Sequence, residues 1–172
     1  VNLETGTMGT TVIKVKDMVK KFGSFVANDH LNFEVYEGEI FGFLGANGAG
    51  KTTAMRILCG LSVPTSGEIS VGGFDIYTQT EEIKRNIGYM SQKFSLYEDL
   101  TISENIRFYG GIYGLPVKIR KEKEQTLLKK FHLEDQKNQL IASLPLGWKQ
   151  KLSFSIAMLH DPKIVFLDEP TG

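Results

Sequence analysis

Nine consecutive residues carry the clearest chemistry in this sequence: Gly45, Ala46, Asn47, Gly48, Ala49, Gly50, Lys51, Thr52 and Thr53. They fit in full the pattern G-x-x-x-x-G-K followed by Ser or Thr. Glycines at this spacing let the backbone bend so that successive N–H groups point into one concavity, which suits the oxygens of a nucleotide's phosphates. Lys51 supplies a mobile cation for the terminal phosphates, and the Thr52 hydroxyl can ligate a magnesium ion. A second group of reactive type lies near the other end, where the apolar run Lys163 to Leu167 delivers two carboxylates, Asp168 and Glu169. Beside a phosphate loop, the first is suited to hold magnesium and the second to orient and deprotonate an attacking water.

Such residues work only when particular elements hold them. Residues 40 to 44, Ile-Phe-Gly-Phe-Leu, read as a strand entering the loop, and Thr52 to Cys59 reads as the helix leaving it. Strand, loop and helix is the setting in which the motif has a mechanism, because the helix adds its first N–H groups and the positive end of its dipole. Ahead of it, Thr11 to Val15 and Leu31 to Val35 alternate as strands, and Tyr36 to Glu39 form a turn. Pro64 to Gly67 is a turn before a strand at Glu68 to Val71, and Ile87 to Gln92 is a further short strand. The character then becomes helical. Thr101-Ile-Ser-Glu104 is a capping box opening a helix through Tyr113, closed by Gly114 and Pro116. Lys118 to Leu133 forms the next helix, its many lysines and glutamates reading as a solvated face. Gly147 to His160 is a third, broken by Asp161-Pro162.

Bulk properties limit the classes open to such a chain. It has 172 residues, enough for one domain with a sizeable core. Its 20 basic and 20 acidic side chains cancel, so no overall field draws it to nucleic acid, and no nucleic-acid partner is expected. Cys59 is the only cysteine, which excludes an internal disulfide; a buried thiol acting as a small hydrophobe is its expected role. No apolar run approaches the ~20 residues of a membrane-spanning helix, and the first residues have neither the basic region nor the apolar block of a signal peptide. Residues 1–10 read as a tail, left from cloning or from a longer chain.

Taken together, residues 45–53, the Ser91-Gln92 pair after a strand, Leu144 to Gln150 before a helix, and Ile164 to Thr171 resemble the nucleotide-binding domain of an ATP-binding cassette (ABC) ATPase, in order and interval, over nearly the whole chain. The resemblance implies an α/β fold: a P-loop NTPase core, with a mixed sheet and an antiparallel N-terminal β part, plus a mostly helical insert. Within a domain at 11–172, the core would occupy 11–93 and 147–172 and the insert about 94–146. It implies ATP and Mg2+ as ligands, an adenine-stacking role for Phe22, and contact of Gln92 with magnesium and the attacking water. Thr52, Gln92 and Asp168 would hold the metal; Glu169, Lys51 and Gln92 would carry the catalysis. The Gln92 region, with Phe94, Leu96 and Tyr97, would face integral membrane permease subunits. The resemblance also implies a homodimer or pseudo-dimer of ABC domains closing head to tail, and a cytoplasmic place on the inner face of the plasma membrane through partner subunits. His30, His132 and His160 match no catalytic position.

This sequence departs from the family pattern in two places. The signature segment reads Leu144-Pro145-Leu146-Gly147-Trp148-Lys149-Gln150. Pro145 stands where a serine would meet the γ-phosphate on the opposite subunit, and Leu146 replaces a glycine. The segment is still expected to cap the partner's ATP, with Trp148 packing against the neighbouring subunit. The variation is similar to that of bacterial drug-export systems of the ABC-2 type and of ribosome-associated relatives. The sequence also stops at Gly172, before the aspartate loop and switch histidine of the family, so the C-terminal part of the fold is expected to be missing and turnover impaired. The first reading is the ATPase of a bacterial transporter, an exporter. The alternatives are a soluble ABC ATPase acting on ribosomes and, from another class, a P-loop kinase or GTPase.

Overall fold

The structure is a computed structural model, and it describes residues 9–46, 48–91 and 96–168. The chain divides into two compact units, Val1–Ile87 and Gly88–Gly172.

The first unit is built on a long hairpin. Strands β1 (Thr11–Phe22) and β2 (Phe25–Tyr36) pair antiparallel from Thr11↔Tyr36 to Phe22↔Phe25. Strand β3 (Ser66–Val71) lies antiparallel on the other side of β1, and the two-residue β4 (Phe74–Asp75) closes the order β2-β1-β3-β4. Alternation places Ile13, Val15, Ile69 and Val71 in the core, as a half-buried sheet requires. Both hairpin strands run well beyond the segments that alternation alone marks. The pattern breaks because the register shifts on either side of Met18, with Asp17 and His30 at positive φ. There the Asn32 side chain takes over from the ladder: its Oδ1 accepts from the Asp17 amide at 2.9 Å, and its Nδ2 donates to the His30 carbonyl at 2.8 Å. Gly67 sits opposite this irregularity, where a Cβ would lie 2.7 Å from the Asp17 carbonyl oxygen.

Helix α1 (Lys51–Leu58) buries Ala54, Met55, Ile57 and Leu58, and Cys59 beyond it is buried as expected. Helix α2 (Thr80–Asn86) has no counterpart in the sequence reading, because only Ile83 of its seven residues is buried and so no apolar period is visible. It follows a side-chain turn in which Asp75 Oδ1 accepts from the Tyr77 and Thr78 amides and the Thr78 hydroxyl.

Strand β5 (Ile87–Met90), which starts at the last residue of the first unit, pairs with β6 (Ile164–Leu167) in a two-stranded sheet. Between them lie α3 (Ile102–Ile112), α4 (Val117–Lys130), a single 3-10 turn at Ile141–Ser143, and α5 (Leu146–Ala157). Ile102, Ile106, Leu127, Leu128, Ile141, Leu152 and Ile156 form their common core. The capping box at Thr101 is present in both halves: Oγ1 accepts from the Glu104 amide at 3.2 Å and the Thr101 amide donates to Glu104 Oε2 at 2.8 Å. The reading of α4 as a solvated charged face fails at one position. Glu124 is buried, accepting from the Ser103 hydroxyl at 2.6 Å and from Arg107 Nε and Nη2 at 2.7 and 2.9 Å. A carboxylate can be buried on a helix when a neighbouring helix supplies donors for both oxygens. The resulting fold is mixed α/β, with an antiparallel N-terminal sheet and a run of helices.

Candidate functional site

Residues 40–44 correct one expectation. They are not a strand, although their side chains turn alternately to opposite sides as those of a strand do. Phe41 and Phe43 turn toward β2, where the Phe33 ring stacks on Phe41 at 5.1 Å and meets Phe43 edge-on at 5.4 Å. Ile40 and Leu44 turn the other way and are 100% and 97% exposed. The segment is anchored by aromatic packing on one side and has no ladder partner among the described residues, so it has the side-chain period of a strand without the pairing that defines one.

This anchored segment leads directly into the glycine loop. The Ala49 amide donates to the Ala46 carbonyl at 3.1 Å, closing a turn, and Gly48 and Gly50 take φ of +82° and +79°. Left-handed glycines next to helical residues turn successive amides to one side, the geometry of an anion-binding nest. Gly50 is the N-cap of α1; it has no side chain to cap the helix, and the first turn holds no acidic residue. The positive helix end is thus left for an anion. Lys51 Nζ donates to the carbonyls of Gly45 and Ala46 at 2.6 and 2.8 Å, so the ammonium lies across the loop's own rim.

Gly50 is fixed from outside the loop as well. Its carbonyl accepts from the Ala54 amide at 2.9 Å and from Asn28 Nδ2 at 3.1 Å, and a Cβ on it would fall 2.2 Å from the Ala27 carbonyl oxygen. Strand β2 therefore touches the loop at Ala27 and Asn28. Asn28 is only 4% exposed, and its Oδ1 is buried without a hydrogen-bond partner among the described residues. A buried amide with one unsatisfied oxygen is costly, which points to a structural task for its N–H. Sequence reasoning missed Asn28, since a single asparagine inside a strand carries no local signal of a contact with residue 50.

The hairpin tip places Phe22 and Phe25 directly opposite each other, 55% and 61% exposed. Phe25 precedes Asn28 by three residues of strand, about 10 Å. An exposed aromatic pair thus lies at the hairpin end of β2, three residues along the strand from its contact with the glycine loop.

Other expected site residues belong to the second unit. Asp168 follows β6, is buried, and its amide donates to the Met90 carbonyl at 2.9 Å. In the signature segment, Leu144 is buried while Pro145, Leu146 and Gly147 are exposed. Pro145 is the N-cap of α5, its carbonyl accepting from the Trp148 and Lys149 amides at 2.9 and 3.1 Å, with no acidic residue in the first turn. Trp148 and Gln150 are half-buried. Trp148 packs on its own unit, edge-on to Phe131 at 6.2 Å with Lys151 Nζ 5.1 Å over its ring. Asn47, Gln92, Phe94 and Glu169 lie outside the described residues. The donor types that remain fit the implied ligands: the Thr52 hydroxyl and Asp168 carboxylate are hard oxygen donors of the kind magnesium takes, and the Gly48–Gly50–Lys51 arrangement suits a polyphosphate.

Comparison with known proteins gives concordant results. The family model described as ABC transporter matches residues 28–172. The chain is 48% identical, over 167 residues, to the probable multidrug ABC transporter ATP-binding protein YbhF of Escherichia coli (strain K12), covering 97% of this chain and 29% of that protein. It is 40% identical, over 163 residues, to the bacitracin transport ATP-binding protein BcrA of Bacillus licheniformis, covering 95% of this chain and 52% of that one. The chain thus spans about half of these curated relatives or less. Among solved structures, it superposes on an ATP-binding subunit of an ABC transporter with a TM-score of 0.82 at 32% identity, covering 94% of this chain and 67% of the other. A dimeric ATP-binding cassette in a post-hydrolysis state with ADP and Pi gives 0.79 at 27% identity, covering 92% and 74%.

Proposed function

Because this chain belongs to the ABC transporter family, we propose that it binds ATP at residues 45–53 and is the ATP-hydrolysing part of a bacterial export system. The observation that carries this reading is the braced loop: a left-handed Gly50 whose carbonyl is held by Asn28, opening an uncapped helix directly beside the Lys51 ammonium. Loop amides and the α1 N-terminus receive the β- and γ-phosphates. Lys51 then leaves the Gly45 and Ala46 carbonyls for the phosphate oxygens. Phe22 stacks on the adenine. Thr52, Asp168 and Gln92 would hold magnesium, which would supply charge to offset the negative charge developing on the transferred phosphoryl group. Gln92 and Glu169 orient the attacking water, and Glu169 takes its proton.

Two copies, or this chain and a similar domain, close head to tail, and the start of α5 with residues 144–150 meets the ATP held by the other copy. Pro145 donates no hydrogen bond there; the first amides of α5 and the exposed Gly147 backbone do that work. No helix among the described residues is long and apolar enough to cross a membrane. Transport would be carried out by integral membrane permease subunits, which the Gln92 region would engage from the cytoplasmic side. Titration with ATP, ADP and AMP tests the core of this reading. Lys51→Ala is expected to weaken ATP at least tenfold and AMP hardly at all. Equal affinity of the variant for ATP would remove the phosphate-loop assignment.

A further inference from the structure

The hairpin tip carries a cation whose place the function above does not explain. Lys20 and Phe22 are two residues apart on β1. The Lys20 ammonium donates to the Val63 carbonyl at 2.7 Å and stands 4.8 Å over the centroid of the Phe22 ring. The backbone on both sides of Lys20 is tied to the same neighbouring segment. The Lys21 amide donates to Thr65 Oγ1 at 2.9 Å, and the Thr65 amide donates to the Val19 carbonyl at 2.8 Å. These bonds hold the strand end without help from the Lys20 side chain, so its ammonium is available for another task.

We propose that Lys20 is a positioning residue for the nucleobase: its ammonium, seated on the Val63 carbonyl, covers one face of the Phe22 ring and leaves the opposite face as the stacking surface. The inference rests on the ATP reading above. An exposed phenyl ring at a strand end exchanges rotamers on the picosecond-to-nanosecond scale. A cation attracted to the ring quadrupole, itself anchored by a carbonyl, selects the orientation in which the ring lies against it. The base then meets a ring already oriented and loses less freedom on binding. Since one face is occupied, the base stacks on one side only, with Phe25 across the hairpin as its lateral neighbour.

The test compares ATP with inorganic tripolyphosphate, which has the phosphates and no base, on this chain and on Lys20→Met, Lys20→Arg and Phe22→Ala. Lys20→Met keeps the apolar stem and removes the charge. It is expected to weaken ATP about two- to fivefold, leave tripolyphosphate unchanged, and be largely restored by Lys20→Arg. Phe22→Ala is expected to weaken ATP about tenfold, again without effect on tripolyphosphate. If Phe22→Ala weakens ATP and Lys20→Met does not, the Lys20 inference is overturned and the base site stands. If neither changes ATP binding, both fall. Equal loss of ATP and tripolyphosphate in Lys20→Met overturns the inference as well, since the ammonium would then act on phosphate or on the fold.

Discussion

Replacing Gly50 by alanine puts a methyl group 2.2 Å from the Ala27 carbonyl oxygen and 2.7 Å from Asn28 Nδ2, on a residue at φ +79°. Two penalties combine. The left-handed conformation costs a non-glycine residue roughly 1–2 kcal/mol. The overlap with Ala27 is with backbone of a paired strand, so the loop and not the strand must give way. Shifting the loop breaks the Asn28 bond to the Gly50 carbonyl, a further loss of about 1 kcal/mol. A total near 3 kcal/mol corresponds to a fall in Tm of roughly 6–12 °C for a chain of this size. The displaced Gly50 peptide also turns the loop amides away from the phosphates, so ATP affinity should drop by more than tenfold. Gly48→Ala is the control: Gly48 is also left-handed, at φ +82°, but no described atom lies within 4 Å of its would-be Cβ. It should show the conformational cost alone, about a third to two thirds of the loss in Tm. Differential scanning calorimetry and ATP titration of both variants give the comparison. If Gly50→Ala matches Gly48→Ala in Tm and keeps ATP affinity, bracing of the loop by β2 is refuted.

Other residues give independent checks. Asn28→Leu removes the bond to the Gly50 carbonyl but also the unsatisfied Oδ1, so stability should change by less than about 1 kcal/mol while ATP affinity falls; urea unfolding with ATP titration separates the two. Glu124→Ala leaves the buried Ser103 hydroxyl and one end of Arg107 without their acceptor, which should cost about 2–3 kcal/mol, seen as a lower urea midpoint and little change in nucleotide affinity. The Thr101 amide and hydroxyl hold the Glu104 carboxyl below its usual range. Its contribution is therefore present above the unfolded value, near pH 4 to 5, and is lost as pH falls through the lower folded value. Glu104→Gln should accordingly flatten the acid side of the stability profile. Burial pushes the Tyr109 phenol up to about 12, so in an ultraviolet titration it should ionise after the exposed tyrosines.

The turn of the glycine loop was legible because glycine spacing encodes its backbone geometry locally. The same is true of the Thr101 box, where donor and acceptor are three residues apart. What stayed hidden depends on distant partners. The strands β1 and β2 reach their aromatic tip only by passing the Asp17/His30 irregularity, which Asn32 repairs from 15 residues away. Glu124 looks solvated in sequence because its donors stand on α3. Residues 40–44 are an apolar run of the kind that fills a buried strand, yet pairing needs a neighbour that such a run does not specify. Asn28 and Lys20 are single polar residues whose value comes from Gly50 and Phe22.

The most direct measurement of the central claim is amide chemical-shift perturbation of this chain as ATP is added, with and without magnesium. Binding of ATP at residues 45–53 should give saturable shifts centred on residues 48–54 with a second set at Phe22 and Phe25, both abolished in Lys51→Ala at the same ATP concentration. Saturable shifts elsewhere with residues 48–54 unmoved would contradict it.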